Sequence, residues 1–332
     1  MAEAITTEDL QKSYGKVKAL DGLNLAIKDG AIHALLGPNG AGKTTAVLIL
    51  TTLLRPDNGV ARLYGVDVVR APQQVRSWIS LTGQHVATDS KLTGRENLEL
   101  IGRLRRLPRE RARERAAELL ETFELKDAAD RLVRTYSGGM QRRLDLAMSL
   151  MTPPRVLFID EPTINLDPRS RHIVWGLIDR FVRDHGVTVV LTTQYLEEAD
   201  RLADHISIID KGKTIAVGAP EELKARASGD RIELTLKSAE DIQRAEEVFR
   251  RHSSGDITVD REAFRLIAPV ADRVGVLPAL IRDLDQARLR ITDLAVRRPT
   301  LDDAFLALTG HSAEDQHSRP VRRAASGGTN NQ

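Results

Sequence analysis

The sequence predicts an α/β protein: a largely parallel sheet covered by helices, followed by a small α+β unit. Three observations predict it. Ala31–Leu36 is an apolar run short enough for a buried strand, and it leads through Gly37-Pro-Asn-Gly-Ala-Gly-Lys43-Thr44 into a weakly charged helix over Thr44–Leu54. Between residues 155 and 217 apolar strands alternate with helices, the order that parallel sheets need. Beyond Gly229 the order becomes strand, helix, two strands, helix, strand.

The elements follow in order. Residues 5–28 hold two strands, Ile5–Leu10 and Leu23–Ile27, and Val60–Tyr64 is a third after the turn residues Arg55–Gly59. Residues 72–150 are helix-rich, with Leu92–Asn97 opening one helix and Pro108 starting another at Arg109. On that second helix Glu110, Glu114 and Glu118 interleave with Arg109, Arg111, Arg113 and Arg115. Two readings are open for it: a solvated, ion-paired face, or contact with anionic lipid heads or a membrane partner. Val156–Ile159 is a buried strand, Arg171–His185 a helix, Val187–Thr192 a β-branched strand and Leu196–Ala203 a helix. Strands at His205–Asp210 and Lys213–Val217 and a short helix from Pro220 complete a first domain over residues 1–222, its helical subdomain at about 86–150. Residues 223–310 form an accessory α+β domain of ferredoxin-like order, and the polar tail 311–332 is expected to be disordered. Arg319, Arg322 and Arg323 in that tail are open to contact with lipid phosphates or to plain solvation.

Composition narrows the function. The 332 residues suffice for two domains, and 41% hydrophobic with 29% charged residues fits a globular protein. No apolar run reaches bilayer length and MAEAITTEDL lacks a signal-peptide pattern, so the chain is expected not to cross a membrane. Zero cysteines exclude disulfides and thiolate metal sites and fit the cytoplasm. A net charge of +2 and 4% aromatics argue against nucleic acid as a partner.

The loop Gly37–Thr44 matches the phosphate-binding pattern G-x-x-x-x-G-K-[ST] in its required strand–loop–helix setting. Its glycines let backbone N–H groups turn toward a polyphosphate at a helix N-terminus. Gly37, Pro38, Asn39, Gly40, Ala41, Gly42, Lys43, Thr44 and Thr45 are therefore nucleotide-binding candidates, with Lys43 at the β- and γ-phosphates and the Thr44 hydroxyl on Mg²⁺. A second motif, Val156-Leu-Phe-Ile-Asp160-Glu161, delivers two carboxylates at a strand end. Asp160 is expected in the Mg²⁺ shell, mostly through water, and Glu161 to orient or deprotonate the attacking water. In a third, Tyr136-Ser137-Gly138-Gly139-Met140-Gln141, Ser137 caps a helix and the glycines expose further N–H donors.

That third motif resembles the LSGGQ signature of ATP-binding-cassette (ABC) ATPases, and the resemblance covers about residues 4–220. It implies a RecA-like P-loop core with a helical subdomain, ATP and Mg²⁺ as bound groups, and ATP hydrolysis. Ser137, Gly138 and Gly139 would then reach the γ-phosphate held by a second copy of the chain. Tyr14 resembles the aromatic that stacks on adenine, although by itself it also reads as a core residue. Gln84 resembles the Q-loop residue that senses Mg²⁺ and water beside the membrane-subunit contact. Asn165-Leu166-Asp167 resembles the D-loop at the dimer interface, with Asn165 where Gly is usual. Gln194 stands where the family usually has a switch histidine, so it can hydrogen-bond the γ-phosphate and cannot carry a proton.

The runs Thr135–Met140, Thr192–Asp200 and Pro299–Gly310 are similar to those of daunorubicin-resistance ATP-binding subunits, in which the glutamine switch is common. The resemblance implies an ATPase homodimer on the cytoplasmic side of the membrane, driving drug export through a separate integral membrane permease. Lipid or polysaccharide export, a soluble ABC ATPase uncoupled from transport, and a drug-sequestering role stay open as alternatives.

Overall fold

The computed structural model describes residues 3–84, 86–226, 230–271 and 273–309; Gly310 and the tail 311–332 lie outside the described residues. The chain opens on a long antiparallel hairpin, β1 (Glu3–Tyr14) and β2 (Val17–Lys28), with Leu20, Leu23, Leu25 and Ile27 turned into the core. Both strands outrun their sequence-predicted lengths, because exposed Glu8, Lys18 and Asn24 interrupt the apolar pattern on the solvent side. Strand β3 (Ile32–Leu36) is buried throughout and runs into helix α1 (Lys43–Leu50). That helix stops before Leu54; the Thr51 hydroxyl donates to the Val47 carbonyl at 2.7 Å and Thr52 turns to a φ of 65°. Strands β4 (Asn58–Leu63) and β5 (Val66–Asp67) extend the first sheet in the order β2-β1-β4-β5.

Helix α2 (Pro72–Trp78) and strand β6 (Ile79–Thr82) follow, inside the stretch the sequence marked only as helix-rich. Four residues of strand against a helix end carry too little pattern to be seen alone. Helix α3 (Gly94–Leu104) begins at a capping box in which Thr93 and Glu96 satisfy each other's backbone donors. Helix α4 (Arg109–Thr122) shows the ion-paired face: Arg111–Glu114 at 3.1 Å, Arg115–Glu118 at 2.9 Å, and Arg113 with Glu99 on α3 at 3.8 Å. Helix α5 (Gly138–Ser149) leads to β7 (Val156–Asp160), then α6 (Pro168–His185), β8 (Thr188–Thr193), α7 (Leu196–Leu202), β9 (His205–Asp210), β10 (Lys213–Gly218) and α8 (Pro220–Arg226).

The central sheet has the order β10-β9-β3-β8-β7-β6, parallel but for the edge strand β10. Strands β3, β7 and β8 are buried at every position, as parallel strands covered on both faces must be. Their register pairs Leu36 with Thr193 and Asp160 with Thr192, so three loops leave the sheet at one edge. Ligands of such sheets bind at that edge.

Strands β11 (Arg231–Leu236), β12 (Thr258–Asp260), β13 (Arg265–Pro269) and β14 (Ile291–Arg297) form an antiparallel sheet ordered β12-β13-β11-β14, with helices α9 (Ile242–His252) and α10 (Arg273–Gln286) between its strands. Leu234, Phe249, Leu266, Leu280 and Leu284 fill a core of its own. The last described helix, α11 (Leu301–Thr309), packs elsewhere. Its Leu301, Ala304 and Phe305 join Ala34, Leu36, Leu196, Ile206, Ile208 and Leu223 in one cluster against the parallel sheet.

His33 on β3 gives the fold a pH dependence. Its Nε2 and Ser207 Oγ are hydrogen-bonded at 2.8 Å, and burial, with His205 adding a smaller push, lowers its pKa to about 4. An unfolded histidine titrates near 6.5, so the stabilisation is fully present above that pH and is lost as pH falls toward 4. Between pH 7.5 and pH 5 this one group is expected to remove about 2 kcal/mol. Urea unfolding of His33→Gln should show a correspondingly flatter pH profile than the native chain.

Candidate functional site

The residue types of the phosphate loop follow from its surroundings. A Cβ at position 37 would stand 2.2 Å from the Ile209 carbonyl oxygen, and one at 42 would stand 2.4 Å from that of Ala19. Gly42 also takes a φ of 106°, open in practice only to glycine. The loop is pinned on both sides: Gly37 N–H donates to the Thr193 carbonyl at 3.4 Å, and Gly212 N–H to the Ala41 carbonyl at 2.9 Å.

Lys43 is almost fully buried, its ammonium donating to the carbonyls of Gly37 (2.6 Å) and Pro38 (3.0 Å) and lying 3.9 Å from Glu161 Oε1. Burial lowers its pKa, and the charges of Glu161 and Asp160 oppose that shift. The Thr44 hydroxyl reaches both oxygens of Asp160, at 3.2 and 3.3 Å. Asp160 also accepts from the Thr192 hydroxyl, which ties β7 to β8 beneath the loop. Glu161 sits in the left-handed region at a φ of 49°, held there by its N–H to Thr192 O at 3.1 Å. Non-glycine residues rarely occupy that region, and strain of this kind gathers at functional sites. The turn aims its carboxylate at Gln84, whose Nε2 donates to Oε2 at 2.9 Å.

These groups line one cleft of about 320 Å³: Asn39, Gly40, Gly42, Lys43, Thr44 and Thr45 from the loop, with Gln84, Glu161 and Tyr14. Tyr14 stands half exposed at the mouth, at the end of β1, and so is not a core residue. Val17 and Ala19 of the hairpin also line the cleft. Sequence reasoning missed both, since small apolar residues there carry no motif.

Gly37, Pro38, Ala41 and Asp160 belong to the loop and strand end behind this lining, and Ser137, Gly138, Gly139, Asp167 and Gln194 lie outside it. Ser137 caps α5 by accepting from Met140 N–H at 3.3 Å, and Ser137 and Gly138 are exposed. A Cβ on Gly138 would meet only Leu166, at 3.9 Å, whereas one on Gly139 would stand 2.6 Å from Ser170 Oγ. Asp167 caps α6, accepting from Ser170 N–H (2.9 Å) and its hydroxyl (2.6 Å), and those bonds hold its pKa down. Asn165 takes a φ of 60°, which explains why it can stand where glycine is usual: asparagine tolerates the left-handed region best among the other residues. Gln194 follows β8 directly, half-buried, one residue from the Thr193 carbonyl that receives Gly37 N–H. If Gln194 holds the γ-phosphate, Gln194→Ala should lower steady-state hydrolysis about tenfold or more, the worth of one charge-assisted hydrogen bond. Unchanged turnover would remove that role.

Arg142, one turn into α5, is another residue that sequence reasoning did not single out. It is buried and donates to the carbonyls of Gly83 (2.7 Å), Pro162 (2.8 Å) and Asp160 (3.1 Å), and pairs with Asp145 at 3.3 Å. Asp145 accepts in turn from Ala87 N–H at 3.1 Å. One guanidinium thus ties the helix behind Ser137 to the strand end carrying Asp160 and to the segment carrying Gln84. Burial pushes the Asp145 pKa up and lowers that of Arg142, each opposed by the partner's charge.

A family model described as "ABC transporter" matches residues 20–164. The chain is 52% identical over 316 residues to "Daunorubicin resistance ATP-binding protein DrrA2" of Streptomyces coeruleorubidus, covering 95% of this chain and 98% of that protein. It is 47% identical over 313 residues to "Daunorubicin/doxorubicin resistance ATP-binding protein DrrA" of Streptomyces peucetius, covering 94% of both. Among solved structures, a dimeric ATP-binding cassette in a post-hydrolysis state with ADP and Pi matches at a TM-score of 0.59 and 26% identity, covering 65% of this chain and 98% of that one. Loop, paired strand-end carboxylates, signature helix and sequence likeness converge: the chain belongs to the ABC transporter family, in its group of daunorubicin-resistance ATP-binding proteins.

Proposed function

We propose that this ABC ATPase drives efflux of a drug or antibiotic through a separate integral membrane subunit. It would act as a homodimer, bound peripherally on the cytoplasmic side. Among the described residues no helix is long and apolar enough to cross a membrane, so this reading takes the path for the substrate from the partner. The observation that carries it is the division of the site. Lys43, Thr44, Gln84 and Glu161 converge on one cleft, while Ser137 and Gly138 stand exposed outside it at the start of α5. Two chains placed head to tail would each complete the other's site with those N–H donors. ATP would close the pair, and hydrolysis would open it.

Within each site Lys43 would hold the β- and γ-phosphates, Tyr14 the adenine, and Glu161 the attacking water, with Gln84 orienting the carboxylate. Gln194 would hold the γ-phosphate by hydrogen bonding. The residues present fit Mg²⁺. A hydroxyl and a carboxylate that meet at 3.2 Å are hard oxygen donors, and this ion takes one or two such protein ligands beside phosphate oxygens and water. Thr44 and Asp160 would hold it, with Gln84 beside them, and it would supply positive charge against the negative charge of the phosphates. Residues 223–310 are proposed as an accessory unit, with helix α11 as its anchor on the cassette.

Accumulation of a fluorescent anthracycline tests the transport reading, in cells that carry this chain with its cognate membrane subunit. Lower accumulation is expected with the native chain and not with Glu161→Gln. Equal accumulation in both would keep the ATPase and move the cargo to another class, such as lipid or glycan.

A further inference from the structure

One buried acid lies outside the cleft and outside the roles above. Glu198 is in α7, four residues beyond Gln194, and has no solvent exposure. Its Oε1 accepts from the Thr163 hydroxyl at 2.7 Å and from Trp175 Nε1 at 2.8 Å. Thr163 is two residues beyond Glu161, in the loop between β7 and α6, and Trp175 is on α6. Thr193, at the end of β8, supplies a further favourable hydroxyl interaction, and its Oγ1 accepts from Tyr195 N–H at 2.9 Å. The loop that carries Glu161 and the loop that carries Gln194 are therefore fastened to one carboxyl group.

The fastening is costly, which argues against mere space-filling. Glu198 Oε2 is buried with no hydrogen-bond partner, and so is Nε of Arg171, a cation that, like Arg142, acts on Glu198 electrostatically. A leucine of similar volume would remove an unsatisfied buried acceptor and its desolvation cost. Isolated defects of this kind call for a functional account. Burial raises the Glu198 pKa, and glutamine keeps an Oε1 acceptor without the charge, so it is the conservative variant.

We propose that Glu198 is a positioning residue for hydrolysis: by gripping Thr163 and Trp175 through one oxygen, it fixes the spacing between Glu161 and Gln194. It is not among the residues that line the cleft, so it sets the turnover rate and leaves nucleotide affinity alone. A shift of about an ångström in either loop is enough to cost turnover heavily. This inference rests on the roles given above to Glu161 and Gln194.

The test uses the purified full chain with Mg·ATP. Steady-state hydrolysis and fluorescent-ATP binding are measured for Glu198→Leu, Thr163→Val and Glu198→Gln, with Glu161→Gln alongside and folded fraction followed by thermal unfolding. Leu at 198 and Val at 163 are expected to lower kcat at least about tenfold per folded molecule, with KM and nucleotide affinity within about twofold. Gln at 198 keeps an acceptor for both donors and is expected to restore kcat to within about threefold. Loss of folded protein with an unchanged kcat per folded molecule would reduce Glu198 to a structural role and overturn the proposal. So would a Gln variant as slow as the Leu variant. Should Glu198→Leu not fold, Thr163→Val decides by the same readout. Full turnover in Glu161→Gln would instead overturn the reading of the site, whatever Glu198 does.

Discussion

Replacing Glu161 with glutamine is expected to cut steady-state ATP turnover by at least about a hundredfold while leaving nucleotide binding intact. The size follows from what one positioned general base contributes, roughly 10²–10⁴ in rate. The separation of the two effects follows from geometry. On the proposed roles Lys43 and the loop glycines would grip phosphate without Glu161, whose carboxylate contacts Gln84 at 2.9 Å and approaches Lys43 only to 3.9 Å. An amide oxygen still accepts from Gln84, so the cleft keeps its shape and loses its proton acceptor. Turnover measured beside equilibrium ATP binding checks both halves. The variant should also accumulate as an ATP-bound dimer in size-exclusion chromatography, because closure is retained and reopening is blocked. A variant that stays monomeric with Mg·ATP would sink the head-to-tail arrangement, and one that hydrolyses at the native rate would remove Glu161 from the chemistry.

Arg142→Leu is expected to destabilise the chain by about 3–5 kcal/mol, among the largest effects a single change can have here. Two consequences add. Asp145 would stay buried as an unpaired charge, and the carbonyls of Gly83, Pro162 and Asp160 would lose their shared donor. Lysine cannot repair the site, since one ammonium cannot reproduce the forked, planar donor set that spans three carbonyls. Arg142→Lys should therefore recover only part of the loss. Urea unfolding of both variants, with Arg142→Leu/Asp145→Leu as the double change, measures this. The double variant should regain stability over Arg142→Leu, because the stranded charge goes with it.

What the sequence disclosed and what it withheld divide along a physical line. The phosphate loop was legible because its pattern is compact in sequence, glycines at fixed spacing with lysine and threonine at the helix start, although the carbonyls that demand those glycines come from distant Ile209 and Ala19. Asp160 and Glu161 were legible for the same reason, since a buried strand ending in two acids is a local pattern. Arg142 and Glu198 were not. Each is an ordinary charged residue within a helical pattern, and its meaning comes from partners up to 59 residues away for Arg142 and 35 for Glu198. The strand β6 escaped because four residues carry little periodicity, and its identity depends on pairing with β7. The packing of α11 was hidden too; an apolar face announces that it is covered, and does not say by what.

That last packing bears on how the protein is made. Leu36, the residue before the phosphate loop, lies in the same cluster as Phe305, near the far end of the described chain. A ribosome releases the strand long before it releases its cover. Until α11 emerges, the part of that apolar face left uncovered by α7 and α8 stays open, the kind of surface on which chains aggregate and chaperones bind. Helix α11 acts as a closing seal applied after the strands it protects have already emerged.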